Sequence, residues 1–141
     1  ERWSRRIARK LVEARRISPI KSTERLAELV RSAIPSRHGR AAERIDPATR
    51  TFLALRMVVN GEIENLQALL EQTPRRLSSG GRVAVISFHS TEDRRVKQAF
   101  RSAEQTGVLS VLTRKPVTPS DSEIDRNPRS RSAKLRAAQK A

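Results

Sequence analysis

A polar stretch at the end of the central apolar segment holds the residues best suited to chemistry. Ser87, His89 and Ser90 lie at and just beyond the carboxyl end of the β-branched run 82–88. Ligands of open α/β sheets bind beyond the carboxyl ends of strands. An imidazole there can accept or relay a proton near neutral pH. The alternative is structural, with His89 ending a strand and Ser90 capping the next helix.

A second set of candidates is cationic and suits phosphate or base contacts. The tail 129–141 contains no acidic residue. Its side chains can neutralise phosphates or stack on bases, unless some of them pair with carboxylates of the core. On a predicted helix, Arg50 and Arg56 either line a substrate cleft or form structural salt bridges. The tail candidates are Arg129, Arg131, Lys134 and Arg136.

Composition points to an anionic partner. The 141 residues include 30 Lys and Arg against 15 Asp and Glu, a formal net charge of +15. Such a field favours nucleic acid or an anionic membrane surface, and the excess of Arg over Lys favours nucleic acid. A generic basic surface is the alternative. With no Cys and two distant His, the sequence predicts no metal site and no thiol nucleophile.

The first part of the chain is predicted to be helical. Apolar residues at helical spacing predict helices over 1–17 and 23–34, the second capped by Ser22 or Thr23. A third helix begins at Asp46-Pro47, weakens at Asn60-Gly61 and ends before Pro74. The basic face of the first helix either contacts RNA or is solvated. In the polar connection 35–45, His38 is expected to be a surface residue.

The second part is predicted to alternate strands and helices. The run 82–88 predicts a strand buried on both faces, as in a parallel sheet. A helix follows from Ser90 to Gly107, then a strand over 108–113, an irregular loop over 114–128 and a tail that forms a short helix or an edge strand. Two strands make a poor sheet alone, so further strands are expected upstream. The four aromatic residues, all predicted to be core, are Trp3, Phe52, Phe88 and Phe100.

Three segments, 46–62, 80–97 and 115–136, carry a family resemblance. The most specific strings are Ser87-Phe88-His89-Ser90 and Asn127-Pro128-Arg129-Ser130-Arg131-Ser132-Ala133-Lys134-Leu135-Arg136. In order and spacing the segments resemble the 16S rRNA (cytosine-N4)-methyltransferase family, the MraW-like ribosomal small subunit methyltransferase H group. The resemblance covers essentially the whole chain and only the later part of the family's sequence.

The resemblance implies an α/β fold, part of a Rossmann-like S-adenosylmethionine-dependent methyltransferase core with an inserted helical domain. It implies a substrate-recognition insert over 1–45 and the C-terminal part of the core over 46–141, including the basic tail 126–141. The implied reaction transfers a methyl group from S-adenosylmethionine to N4 of a decoding-region cytosine in 16S rRNA. The implied partner is the small ribosomal subunit, in the bacterial cytoplasm and away from membranes.

The expected cofactor site lies upstream of this sequence. No Gly-rich loop follows a strand here, since Ser79-Gly80-Gly81 precedes one. We therefore expect no cofactor-binding residue in this chain and no methyl transfer by the isolated chain. The alternative function is a non-catalytic RNA-binding or ribosome-assembly module, which needs no cofactor.

Overall fold

The computed structural model describes residues 3–35, 46 and 48–141. The chain divides into two compact units, Glu1–Asn60 and Gly61–Ala141. This division falls later than the predicted boundary at residue 45, and the assignment of domains in the enzyme stays a prediction. The expectations for His38 and Pro47 lie outside the described residues.

Within residues 3–35, 46 and 48–60, the first unit has three helices: α1 (Ser4–Ile17), α2 (Thr23–Ala33) and α3 (Ala48–Val59). The predicted cap of α2 is confirmed, because the Ser22 side chain accepts a hydrogen bond from the Arg25 amide at 3.2 Å. Asp46 caps α3 as predicted, since its Oδ1 accepts from the Ala48 amide at 2.8 Å. These short polar side chains satisfy amides that have no acceptor within the helix.

The core of the first unit is small and built where these helices meet. Its buried side chains are one Ile, one Val and three Ala, which let the helices approach closely. Val30 is fully buried at its centre. Trp3 and Phe52 pack against it, which confirms two of the four aromatic predictions.

The predicted third helix is two helices. After α3 the chain breaks at Asn60-Gly61, where Gly61 has φ 58°, and α4 runs over Glu62–Arg76. A left-handed residue ends helical hydrogen bonding, so the break is complete and goes beyond the local weakening that the sequence predicted. The predicted end before Pro74 is wrong, because Pro74 lies within the last turn of α4 and the helix continues to Arg76. Pro74 has no amide hydrogen to donate to the carbonyl four residues earlier, and the helix ends soon after it.

An antiparallel sheet organises the second unit. Its elements after α4 are β1 (Arg82–Ser87), α5 (Ser90–Gln105), β2 (Leu109–Val111), α6 (Asp121–Arg126), a 3₁₀ helix (Pro128–Ser132) and β3 (Lys134–Lys140). The sheet order is β1-β3-β2, with both pairings antiparallel. The predicted tail 129–141 therefore begins in the short 3₁₀ helix and continues as β3, which is the central strand and not the predicted edge strand.

The prediction that β1 is buried on both faces is wrong for the described chain. Its residues alternate in exposure, and Ile86 is 57% exposed. Phe88 is 55% exposed, so it is not a core residue here. A β-branched run has the same composition whether one face or both are covered. The elements that pack against the strand determine how many of its faces are buried. The mixed α/β class is confirmed, while the Rossmann-like core stays a prediction.

The core of the second unit lies between α5 and the sheet. Val96 and Phe100 from α5 pack with Leu109 and Ala138 from β2 and β3, and with Leu70 from α4. A helix over 121–126 was not predicted within the Pro-rich segment. Its signal is Ser120, which accepts from the Glu123 amide at 3.3 Å. None of the helices in the described residues is long and apolar enough to span a bilayer.

Candidate active site and RNA-contacting residues

The junction between β1 and α5 holds the three predicted catalytic residues. Ser87 is buried at the end of β1, and its Oγ donates to the Lys134 carbonyl oxygen at 3.4 Å. This contact links the end of β1 to the start of β3. Ser87 is therefore placed to hold the junction, with its hydroxyl turned away from solvent.

His89, and not Ser90, caps α5. The His89 Nδ1 atom accepts from the Glu92 amide at 3.4 Å, and Glu92 Oε2 accepts from the Phe88 amide at 3.2 Å. This reciprocal pair resembles a capping box, with the cap one residue earlier than predicted. The strong capping preference of Ser misled the sequence interpretation. Ser90 is the first helical residue, and it is exposed.

The cap determines the tautomer of His89. Because Nδ1 accepts a hydrogen bond, the neutral imidazole carries its proton on Nε2. The Nε2 atom is enclosed and lies 3.1 Å from Glu92 Oε1. This distance is short enough for an ion pair, but the geometry does not make a hydrogen bond within the described chain. In this state His89 offers a proton to a carboxylate rather than accepting one.

Glu62 joins this junction from the first turn of α4. Each of three side chains here offers one potential metal-ligand atom, and these atoms all lie within 4.8 Å of one another: Glu62, His89 and Glu92. Sequence reasoning missed Glu62, because nothing in its spacing connects it to a residue on another element. The three groups are a conceivable metal-ligand set. A metal on Nε2 would require the proton to move to Nδ1, which would break the cap, so the observed arrangement favours hydrogen bonding.

A buried ion pair joins α5 to the central strand. Arg136 donates to Asp93 through Nε (2.7 Å to Oδ1) and Nη2 (3.2 Å to Oδ2). The two side chains are only 7% and 13% exposed. The Arg136 hydrogen bond holds the pKa of Asp93 below its usual value, and the nearby positive charges lower it further, although burial opposes the shift. Lys134 Nζ lies 4.0 Å from Asp93 Oδ2.

The predicted RNA contacts therefore fall into separate groups. The absence of acids in the tail was misleading, because Asp93 on α5 supplies the carboxylate for Arg136 and approaches Lys134. Arg136 is buried and paired with Asp93, so it has a structural role, and its contact with RNA stays a prediction. Arg129 and Arg131 are exposed on the 3₁₀ helix. The remaining candidates, Arg50 and Arg56, are exposed on α3 in the other unit.

The second unit is thus a mixed α/β structure with a polar strand-to-helix junction and exposed arginines nearby in sequence. The chain belongs to the MraW methylase family, whose model matches residues 1–141. It is similar to "Ribosomal RNA small subunit methyltransferase H" of Acidobacterium capsulatum, with 55% identity over 140 residues that cover 99% of this chain and 45% of that protein.

Two further relatives carry the same name. The protein of Cyanothece sp. is 54% identical over 140 residues, covering 99% of this chain and 44% of its own length. That of Kosmotoga olearia is 52% identical over 141 residues, covering 99% and 45%. The chain thus spans less than half the length of these curated relatives.

Proposed function

We propose that this chain is part of an S-adenosylmethionine-dependent enzyme that methylates N4 of a cytosine in the decoding region of 16S rRNA. The observation that carries the proposal is the match of the entire chain to the MraW methylase family. The names of its relatives and the formal charge of +15 support an rRNA substrate. The proposed setting is the bacterial cytoplasm, with the small ribosomal subunit as partner.

Within this enzyme we assign 46–141 to the C-terminal part of a Rossmann-like core and 1–45 to an inserted helical domain for substrate recognition. A helical first unit and a mixed α/β second unit support a division into insert and core, although α3 belongs by its contacts to the first unit, beyond the proposed boundary at residue 45. Arg50, Arg56, Arg129 and Arg131 are the proposed RNA contacts, since all four are exposed. Lys134 is half-buried beside Asp93 and has less freedom to reach a phosphate.

The junction of β1 and α5 is the proposed active site. Methylation at an exocyclic amine requires its lone pair to be freed from ring conjugation and a proton to leave, and hydrogen-bond acceptors help with both. The exposed Ser90 hydroxyl is the proposed acceptor for that amine. For His89 to relay the proton, its Nδ1 atom takes up a proton as its bond to the Glu92 amide opens, and Nε2 passes its own proton toward Glu92. Ser87 positions the junction through its contact with β3.

S-adenosylmethionine supplies the methyl group that is transferred, and the residues described here do not fit it as a binding site. The connection from β1 to α5 is Phe88-His89, without glycine, and the Gly80-Gly81 turn precedes β1. A Gly-rich turn between strand and helix is what lets a backbone approach such a ligand. We therefore assign no cofactor contact to this chain.

The test is methyl transfer to small-subunit RNA by this chain and by a version extended upstream of Glu1. We expect radiolabel from S-adenosylmethionine to enter 16S rRNA only with the extended version, as N4-methylcytidine after digestion to nucleosides. Label at another atom, or none with the extended version, would contradict the proposal. RNA binding without methyl transfer by either version would favour the non-catalytic alternative.

Two variants of the extended version test the active site. His89→Asn keeps a side chain that caps a helix but cannot relay a proton, so we expect methyl transfer to fall by about 10²-fold or more. Ser102→Ala, on an exposed position of the same helix, is the control. Equal activity of the two variants would remove His89 from the mechanism.

A further inference from the structure

A small cleft in the second unit is lined by four cations. It has a volume of about 60 Å³ and lies beside α5 and β2. Lys97 and Arg101 line it from α5, Arg114 from the loop after β2, and Arg136 from β3. Three of these four cations were not singled out by the sequence, because they come from segments distant in the chain.

The cations at the cleft mouth form no salt bridge in the described part of the chain. Lys97 and Arg101 are one helical turn apart, so they project from the same face of α5 with Cβ atoms about 5–6 Å apart. Among the residues that the structure describes, none forms a salt bridge within 4 Å with Lys97, Arg101 or Arg114. The mouth therefore carries three positive charges that are open to a ligand.

The nearby carboxylates are already engaged. Glu104 also lines the cleft, and its Oε1 accepts from the Val111 amide at 3.1 Å. Asp93 is engaged by Arg136. With four lining cations against one lining acid, the cleft keeps a positive potential after these contacts are made.

Arg136 forms a buried wall of the cleft with donors to spare. Its guanidinium has five N–H groups. Two donate to Asp93, and a third reaches the Arg114 carbonyl oxygen at 3.5 Å, which is long for a hydrogen bond. Two N–H groups are left without an acceptor in the described chain, on a side chain that is only 7% exposed. These N–H groups can donate charge-assisted hydrogen bonds to an oxyanion in the cleft.

We propose that this cleft binds a backbone phosphate of RNA, with Lys97, Arg101 and Arg114 around the oxyanion and Arg136 behind it. That the polyanion is RNA rests on the proposed function. The four lining cations favour an anionic ligand. A phosphodiester can present its oxyanion to them while the rest of the nucleic-acid strand lies outside the cleft.

The test compares two triple variants of this chain that lose the same charge. The cleft variant is K97Q/R101Q/R114Q. The control is R75Q/R76Q/R126Q, whose three arginines are exposed and do not line the cleft. Binding of a labelled single-stranded RNA from the 16S decoding region is measured across a range of salt concentrations, after circular dichroism melts show that both variants fold.

We expect the cleft variant to lower the slope of log K against log salt by about 1 for the lost phosphate contact, equivalent to about tenfold weaker binding at 0.1 M salt. The control should change the slope by less than half as much. Equal changes in both variants would overturn the proposal, since charge alone would explain them. Inorganic phosphate that binds the cleft without affecting RNA affinity would also overturn it. The proposal would also be overturned if the cleft variant lost binding to anionic phosphatidylglycerol vesicles but kept its binding to RNA.

Methyl transfer by the extended version separates this proposal from the function on which it rests. If the cleft variant binds RNA more weakly and the extended version without substitutions transfers no methyl group, the enzymatic function is refuted and the phosphate site stands. If the extended version transfers a methyl group and the cleft variant binds RNA with unchanged affinity, the phosphate site alone is refuted.

Discussion

The two compact units of this chain use charged residues in different ways. In the described part of the first unit the pairs Arg31–Asp46 and Arg25–Glu28 lie at the surface, and the core cluster is entirely apolar. In the second unit the pair Asp93–Arg136 is enclosed between α5 and β3. Water screens the surface pairs, whereas a buried pair cannot lose one partner without leaving the other charge unsolvated. The same residue types therefore stabilise the two units to different extents.

The largest effect should come from breaking the buried pair. Arg136→Met keeps most of the side-chain volume and leaves Asp93 with the more distant positive charges of Lys134 and Lys97. We expect a loss of about 3 kcal/mol in the free energy of unfolding, because the Asp93 carboxylate stays buried without its partner. Urea denaturation followed by circular dichroism measures this loss.

The double variant Asp93→Leu/Arg136→Met is the control for that prediction. It removes both charges, so we expect it to recover part of the lost stability. If it is as unstable as Arg136→Met, the side-chain packing of Arg136 matters and the charge does not. Such a result would erase the contrast between the two units.

The pH dependence of the second unit sharpens the same contrast. The folded-state pKa of Asp93 is lowered below its usual 3.8, so the unfolded chain takes up this proton first as the pH falls. The contribution of Asp93 is present above the unfolded pKa and is lost as the pH falls through the folded pKa. We expect Asp93→Asn to flatten the decline of stability from about pH 5 to about pH 2. An unchanged acid profile in Asp93→Asn would show that the pair contributes nothing in this range.

A smaller loss is expected from the apolar core of the first unit. Val30→Ala removes two carbons from a fully buried position between α1 and α2. The expected loss is about 2 kcal/mol, from lost transfer free energy and the cavity left behind. Leu55→Ala, at a position that is 42% exposed, is the matched control. A loss no larger than that of the control would mean that the first unit does not depend on this cluster.

The smallest effect concerns the surface pair of the first unit. The Arg31 guanidinium holds the pKa of Asp46 below its usual range, and Asp46 also caps α3. Asp46→Asn keeps a side-chain oxygen for the cap and removes the charge, so thermal melts should change less than with Val30→Ala. Asp46→Ala removes the cap as well and should lower the melting temperature further. If the Asn variant is as damaged as the Ala variant, the ion pair matters more than its exposure indicates.

In the candidate site, some features depend on residues close together in the sequence and others on residues far apart. Ser87, His89 and Ser90 could be selected from their position after an apolar run, because that relation spans only a few residues. Their roles could not be predicted, since the shift of the cap from Ser90 to His89 depends on where the chain turns into α5. Glu62 could not be selected at all, because its proximity to His89 depends on how α4 packs.

The sequence by itself determined the helices of the first unit, the Ser22 and Asp46 caps, the apolar run of β1 and the excess of positive charge. Each of these depends on side chains within a turn or two of one another, or on composition alone. Only the tertiary structure decided that the tail is the central strand, that Asp93 neutralises Arg136, and that four cations surround one cleft. These facts join residues far apart in the chain, and such contacts depend on the packing of whole elements rather than on local periodicity.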